Sequence, residues 1–361
     1  MRLTQSLFDR NSLRLQCFVD DPIAAIKGSE LRRKVIIAVI TLVWEALGCQ
    51  LAYAKGQRGN AADWIGGELD INIDEGILTA QVKKAIVIDI TMMLEEFTKV
   101  NLIPLKQLES FIGKVNHAAG LLVTIRPFLQ SLWAALYGPE GKVAGTVWIK
   151  QISHSLSWLR AVFHQDTPGL IRRFHLADFQ GHGDKIELGT DASPWGLGGW
   201  IAINDVITKY FYCDLSIFDI TLYNLVLGSC KGQQVLECLA ILVAIRGWIP
   251  SSERRVQLAP VVRGDNVSAL SMVLKMRPRT QLMAIVAREI ALHLVHYSFP
   301  PVVYHTPGVA HVIADKLSRI FDPAMPDAID ILQHPALANA ELTEMPVRTP
   351  AYYLALEDSS R

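Results

Sequence analysis

Four acidic side chains stand where a carboxylate can do chemistry. Asp191 closes an alternating apolar run in Gly189-Thr-Asp-Ala-Ser193, and Asp265 closes another in Arg263-Gly-Asp-Asn266. Glu237 is the only charge between Lys231 and Arg246, and Asp315 lies in Ala314-Asp-Lys-Leu-Ser-Arg319. Carboxylates that share a partly dry site raise one another's pKa, so a cluster of them is retained where divalent cations neutralise it. Hard, all-oxygen donors suit Mg²⁺, with Mn²⁺ as the alternative. Two such ions about 4 Å apart activate a water and stabilise the leaving oxygen of an in-line phosphoryl displacement. Taken singly, an Asp at a strand end is a turn or a cap, and Asp265 before Asn266 has the form of a helix N-cap. Glu237 in an apolar stretch needs a partner. The joint pattern carries the metal reading. Of the two histidines near Asp315, His305 reads as a packed or backbone-bonded strand end and His311 as the opening of the last helix. Trp195 and Trp200 read as packing of a Gly-rich hairpin.

The elements that must position these acids follow from hydrophobic period. Lys185–Asp191, Trp195–Ile203 and Val206–Tyr212 read as an antiparallel meander with tight turns at Asp191–Trp195 and Asn204–Asp205. Gln233–Trp248 is an almost wholly apolar helix. Arg255–Arg263 is a strand, Asn266–Leu274 and Leu282–Leu294 are helices, Pro301–His305 is the last strand and His311–Arg319 the last helix. The expected fold class is α/β (α+β), a mixed sheet with helices against it. In the first half, Leu13–Asp21 reads as a strand broken by Pro22, and Glu30–Leu47 as a helix whose apolar part is buried. Cys49–Ala54 and Trp64–Ile71 read as strands. Thr79–Val100, Leu105–Gly113 and a stretch after Pro127 read as helices. A segment with Trp148 and Trp158 then leads to a polar loop around Gly181-His-Gly183.

The 361 residues suggest two domains or three small ones, and an apolar fraction of 50% with 19% charged residues excludes a disordered chain. Lys+Arg and Asp+Glu balance at 35 each, but residues 322–361 hold two basic side chains against seven acidic ones. The preceding 321 residues therefore carry 33 basic and 28 acidic side chains, a mild hint of a polyanion-binding body with an acidic tail. Five scattered cysteines without a C-x-x-C pair indicate neither a disulfide framework nor a zinc site. No signal-peptide pattern opens the chain, and the run Val35–Ala54 is interrupted by Glu45 and Gly48 before it could span a bilayer. The expectation is an intracellular protein, cytoplasmic or nuclear, with no membrane partner.

Thr190-Asp-Ala-Ser193 with Gly196-Leu-Gly-Gly199, Leu236-Glu237, Gly264-Asp-Asn266, and His305-Thr-Pro-Gly308 with Ala314-Asp-Lys-Leu-Ser-Arg319 resemble the ribonuclease H domain of retrotransposon reverse transcriptases. The similarity covers roughly residues 185–321. It implies that Asp191, Glu237, Asp265 and Asp315 are the four metal-binding catalytic acids. It further implies hydrolysis of the RNA strand of an RNA–DNA hybrid, with the 2′-hydroxyl telling RNA from DNA. Lys275, Arg277 and Arg279, between two helices, read equally as a basic loop that tracks phosphates or as a solvated one.

Phe18-Val-Asp-Asp21 resembles the Y-x-D-D motif of reverse transcriptase palms, with Phe in place of Tyr. Leu51-Ala-Tyr-Ala-Lys-Gly56 and Asp63-Trp-Ile-Gly66 follow in the order of the later palm motifs. Phe111-Ile-Gly-Lys-Val-Asn-His117 and Arg126-Pro-Phe128 are similar to the helical thumb. The resemblance implies Asp20 as a metal-ligand position, Asp21 and Lys55 as further polymerase remnants, and Lys114 and Arg126 as nucleic-acid contacts. The implied order is a partial palm over 1–75, a thumb over 76–140, a connection over 141–184, a ribonuclease H-like domain over 185–321 and an acidic tail over 322–361. Only 17 residues precede Phe18, too few for fingers and an earlier palm acid, so RNA-directed DNA polymerase activity is not expected of this chain alone. The expectation is part of a longer LTR (gypsy-like) or tyrosine-recombinase-type retrotransposon polyprotein. Two other readings stand beside it: a silent remnant that only binds nucleic acid, and an unrelated α/β protein with structural acids.

Overall fold

The computed structural model describes residues 2–9, 12–18, 20–138, 142–143, 145–164, 170–176, 184–249, 261–295 and 302–356. Val19, the polar loop at 181–183, the early part of the strand expected from Arg255, and Pro301 lie outside the described residues.

The chain opens with α1 (Arg2–Ser6), the hairpin β1 (Leu13–Phe18) and β2 (Asp21–Ile26), and α2 (Glu30–Ala46). Pro22 does not break the strand as expected. It lies inside β2, opposite Cys17 in a sheet of two strands, where a missing N–H is tolerated on an outer edge. Nor is the apolar part of α2 buried. Ile36 and Ile40 alone are buried in it, on a small cluster with Leu13, while Leu31, Val35 and Leu42 face solvent.

Next come β3 (Ala61–Trp64), β4 (Gly67–Asn72), β5 (Ile77–Val82), α3 (Lys84–Phe97), β6 (Leu102–Pro104), α4 (Leu105–Leu121), α5 (Arg126–Tyr137), β7 (Lys142–Val143), β8 (Thr146–Trp148), α6 (Ser153–Phe163) and β9 (Ile171–His175). Three expectations fail here. Cys49–Ala54 is not a strand, and a short 3₁₀ turn occupies Tyr53–Lys55. Trp64–Ile71 is not one strand but a hairpin, because Ile65 and Gly66 take positive φ (48° and 69°) and turn the chain. Thr79–Val82 belongs to β5, and the helix begins only at Lys84. The segment read as a connection is woven into this half, since β8 pairs with β6 and β9 with β5. Helices α3 to α6 enclose a core of Ile90, Phe97, Phe111, Ile112, Leu132 and Leu159.

The second half matches the expected α/β class: β10 (Ile186–Ala192), β11 (Gly196–Ile203), β12 (Val206–Asp214), α7 (Ile217–Leu222), α8 (Gln233–Trp248), β13 (Val261–Gly264), α9 (Val267–Lys275), α10 (Gln281–His293), β14 (Val302–His305), α11 (Val312–Ser318) and β15 (Glu341–Leu342). The sheet order is β14-β13-β10-β11-β12-β15. β10, β11 and β12 run antiparallel, while β13 and β14 run parallel to β10. Asn204 and Asp205 both take positive φ (52° and 67°), the geometry of a two-residue hairpin turn that matches strand twist. α8 is apolar all round and buried from Val235 to Ile245, as such a helix must be.

The segment read as an acidic tail packs on this body. β15 extends the sheet beside β12, and Tyr353 enters the core. Arg348, 2% exposed, donates to Asp219 Oδ2 at 2.6 Å and to the Asp214 carbonyl at 2.6 Å, while Tyr353 Oη donates to Asp219 Oδ1 at 2.6 Å. Glu289 on α10 accepts from Arg246 on α8 and from the amides of Leu354 and Ala355. Among the described residues, no helix is long and apolar enough to cross a membrane.

Candidate metal centre

The register of the sheet brings two of the acids together. Gly189 pairs with Arg263 across the parallel strands β10 and β13, and Asp191 and Asp265 each follow two residues later. They leave the same end of neighbouring strands. Glu237 reaches them from the second turn of α8, which packs against β10 and β11. One ligand atom from each of Asp191, Glu237 and Asp265 lies within 4.8 Å of the other two, and this is the group among the described residues able to hold a metal ion.

Asp315, on α11, lies outside that trio. Arg319 Nε donates to its Oδ1 at 2.8 Å, yet its charge is near enough to raise the Asp191 pKa. The helix approaches this closely because β11 is glycine-rich. A Cβ built at Gly198 would come within 2.4 Å of the Ser318 amide nitrogen. His311 fixes the start of the same helix, its Nε2 lying 2.8 Å from the Thr190 carbonyl, next to Asp191.

The electrostatics of the centre set it apart from every other buried acid described. Glu187, Asp219 and Glu289 are buried and each faces an arginine: Arg263, Arg348 and Arg246 respectively. Arg263 holds the Glu187 carboxyl below its ordinary pKa through a bidentate pair at 2.8 and 3.0 Å. Asp191, four residues further along the same strand, goes the other way. Burial pushes it up to about 7, the Ser318 hydroxyl pulls it down, and the charges of Asp315 and Asp265 push it up again. Burial likewise drives Glu237 well above its usual range, and the Asp191 charge adds to this. Among the described residues neither makes an ion pair. Two buried carboxylates and a more open third, all oxygen donors without a protein cation between them, suit a hard divalent ion.

Two neighbours hold these acids in place. Ser318 Oγ donates to Asp191 Oδ2 at 2.8 Å, and Gln233 Nε2 donates to Glu237 Oε1 at 3.0 Å and to the Ala192 carbonyl. Sequence reading missed both. Gln233 stands one helical turn before Glu237, and Ser318 one turn after Asp315, so the i, i+4 and i, i+3 spacings were the available signal.

The other expected residues are dispersed. Asp20 and Asp21 sit exposed at the β1–β2 turn, where the Asp21 carbonyl accepts from Trp64 Nε1 at 2.9 Å. Among the described residues, no third acid joins them in a metal-holding group. Lys55 is exposed on its 3₁₀ turn. Lys114 pairs with Asp89. Arg126 donates to the Ala119 and Lys275 carbonyls at 2.9 and 3.0 Å. Lys275, Arg277 and Arg279 are exposed, as is His305. Trp200 is half-buried, its ring lying over Gly189.

No protein-family model matches the chain, and no curated protein matches it in sequence. Among solved structures it is similar to a foamy viral protease-reverse transcriptase dRH in complex with double-stranded DNA (12% identity, 81% of this chain and 46% of that one, TM-score 0.35). It is also similar to a foamy viral protease-reverse transcriptase in complex with an RNA/DNA hybrid (12%, 81% and 36%, TM-score 0.34). A third, in complex with double-stranded DNA, gives 14%, 81% and 55%, with a TM-score of 0.33. The chain spans no more than 55% of the length of any of the three.

Proposed function

We propose that the chain is a reverse-transcriptase-like fragment of a retroelement whose second half hydrolyses the RNA strand of an RNA–DNA hybrid. One observation carries this reading: Asp191, Glu237 and Asp265, from two strands and a helix, converge to within 4.8 Å without an arginine or lysine paired to them among the described residues. The four acid motifs are those of the ribonuclease H resemblance, which supports the assignment.

Asp191, Glu237 and Asp265 would hold Mg²⁺, with Asp315 at the margin of the same site. When bound there, divalent metal would supply neutralisation of the crowded carboxylates, activation of a water and stabilisation of the departing 3′ oxygen. In the assigned hydrolysis a bond would form from the water oxygen to phosphorus as P–O3′ breaks, one water proton ending on the 3′ oxygen, to leave a 5′-phosphate and a 3′-hydroxyl. The chain's own contribution is positional. Ser318 fixes one oxygen of Asp191, Gln233 fixes one of Glu237, and Arg319 ties back Asp315. We assign Asp20, Asp21 and Lys55 to a palm-like element of the first half.

The test is cleavage of a hybrid labelled on its RNA strand, in Mg²⁺ or Mn²⁺. The full chain should cut it, and Asp191→Asn and Glu237→Gln should each reduce the rate at least a hundredfold. Cleavage that survives both substitutions, or a chain that neither cuts the hybrid nor binds Mn²⁺, overturns the reading.

A further inference from the structure

Four arginines of the second half face carboxylates: Arg246, Arg263, Arg319 and Arg348. Arg126, Arg172 and Arg277 make no ion pair among the described residues, yet they gather at one place, the junction of α4, α5 and α9. Arg126 Nε donates to the Ala119 carbonyl in the last turn of α4, and its Nη1 to the carbonyl of Lys275, the last residue of α9. Arg172 Nη1 donates to the Leu121 carbonyl at 2.8 Å, so two guanidiniums meet at the end of one helix. Arg277 follows Lys275 by two residues and is exposed.

Carbonyl capping explains part of this arrangement, since cations favour a helix C-terminus. It does not explain three arginines. A guanidinium carries five N–H donors; Arg126 uses two of its groups and Arg172 one, and a third positive charge is drawn up beside them. Burial first, and then the nearby Arg277 charge, pull the Arg126 pKa down. Burial, and then Arg126, bring Arg172 down to about 10. Like charges held this way favour an anion that answers them, and planar N–H forks match phosphate oxygens. Exposed Lys275 and Arg279 extend the positive surface on either side.

We propose that Arg126, Arg172 and Arg277 form a seat for the phosphodiester backbone of a nucleic-acid duplex, bridging the helical first half and the acid-bearing second half. The seat reads backbone charge and not bases, so it takes an RNA–DNA hybrid and a DNA duplex alike. It rests on the reading of the chain as a nucleic-acid protein but not on cleavage. Arg277 is the clean probe, being exposed and making no ion pair among the described residues.

Binding of the full chain to labelled RNA–DNA and DNA duplexes of about 20 base pairs, in EDTA across a salt series, tests the seat. Arg277→Gln should weaken both duplexes by roughly threefold or more and reduce the slope of log K against log salt by about 0.9. Arg126→Gln, with its melting temperature measured alongside, should lower the slope similarly if it remains folded. An unchanged slope and affinity in Arg277→Gln would overturn the proposal. So would a chain stabilised by inorganic phosphate yet indifferent to either duplex. Duplex binding with the expected slope change but without cleavage sinks the nuclease reading and leaves the seat standing.

Discussion

Ser318 Oγ donates to Asp191 Oδ2 at 2.8 Å and takes no part in any ion pair. The hydroxyl stabilises the ionised form of a carboxylate that burial otherwise drives up to about 7. Ser318→Ala should therefore raise that pKa further and weaken Mn²⁺ binding near pH 7 by about tenfold, in the range seen when the support of a ligand is removed. The loss should shrink as pH rises and Asp191 ionises regardless. Calorimetric titrations with Mn²⁺ at three pH values would show it, and an equal loss at every pH would count against this role.

Without divalent ions, stability should fall as pH rises from about 4 to about 7. Asp191 keeps its proton in the folded chain through this window while the unfolded chain releases it, so deprotonation favours unfolding. Glu237, raised in the same direction, adds to the trend. Three pKa units correspond to about 4 kcal/mol at most. Glu187 has the opposite sign, since its lowered pKa gives stability that is lost only as pH falls below the ordinary carboxylate range. Melting curves in EDTA should therefore flatten above pH 5 in Asp191→Asn, and saturating Mg²⁺ should remove the decline in the parent chain.

Gly198→Ala should separate folding from metal binding. Its Cβ would meet the Ser318 nitrogen at 2.4 Å and the Leu317 carbonyl carbon at 2.6 Å, both backbone atoms that cannot rotate away. The last helix must move off β11, at a cost of about 1–3 kcal/mol. Ser318 and Asp315 move with it. The expected outcome is a folded chain by circular dichroism whose affinity for Mn²⁺ has dropped at least tenfold; wild-type affinity would show that the close approach is dispensable.

Arg348→Met strands a buried charge. Asp219 is fully buried, and without the guanidinium its carboxylate keeps, among the described residues, the Ser216 amide and the Tyr353 hydroxyl. Breaking such a pair from one side costs about 3–5 kcal/mol. Urea unfolding should show this loss, and adding Asp219→Asn should recover part of it. A double variant no more stable than Arg348→Met alone would point to lost packing instead.

Much of the acid-bearing half was legible because its signals are local. Gln233–Trp248 matches its expected bounds, since an apolar run of that length with a terminal Trp has few other solutions. Asn204-Asp205 announced its turn by composition. Legibility failed where the third dimension decides. Pro22 is harmless in β2 because, among the described residues, no further strand pairs there. Ile77–Val82 pairs with β9, whose contribution lies far along the chain, and its apolar residues fit a helix as well as a strand. The partners that matter most to the buried charges are more distant still. Arg348 meets Asp219 across 129 residues, and Arg172 meets Leu121 across 51. Neither spacing leaves a periodic trace. Asp191, Glu237, Asp265 and Asp315 were readable as a set, whereas the grouping of the first three without Asp315 was not.

The reliance of α7 and α10 on residues 348–355 has a consequence for biosynthesis. A ribosome that has delivered everything through His293 has made the site's strands and its long apolar helix, but Asp219 and Glu289 still lack the groups that satisfy them. Both acids must wait for residues 348–355 to emerge. The buried charges of α7 and α10 are thus satisfied only after the strands that carry Asp191 and Asp265 have been made.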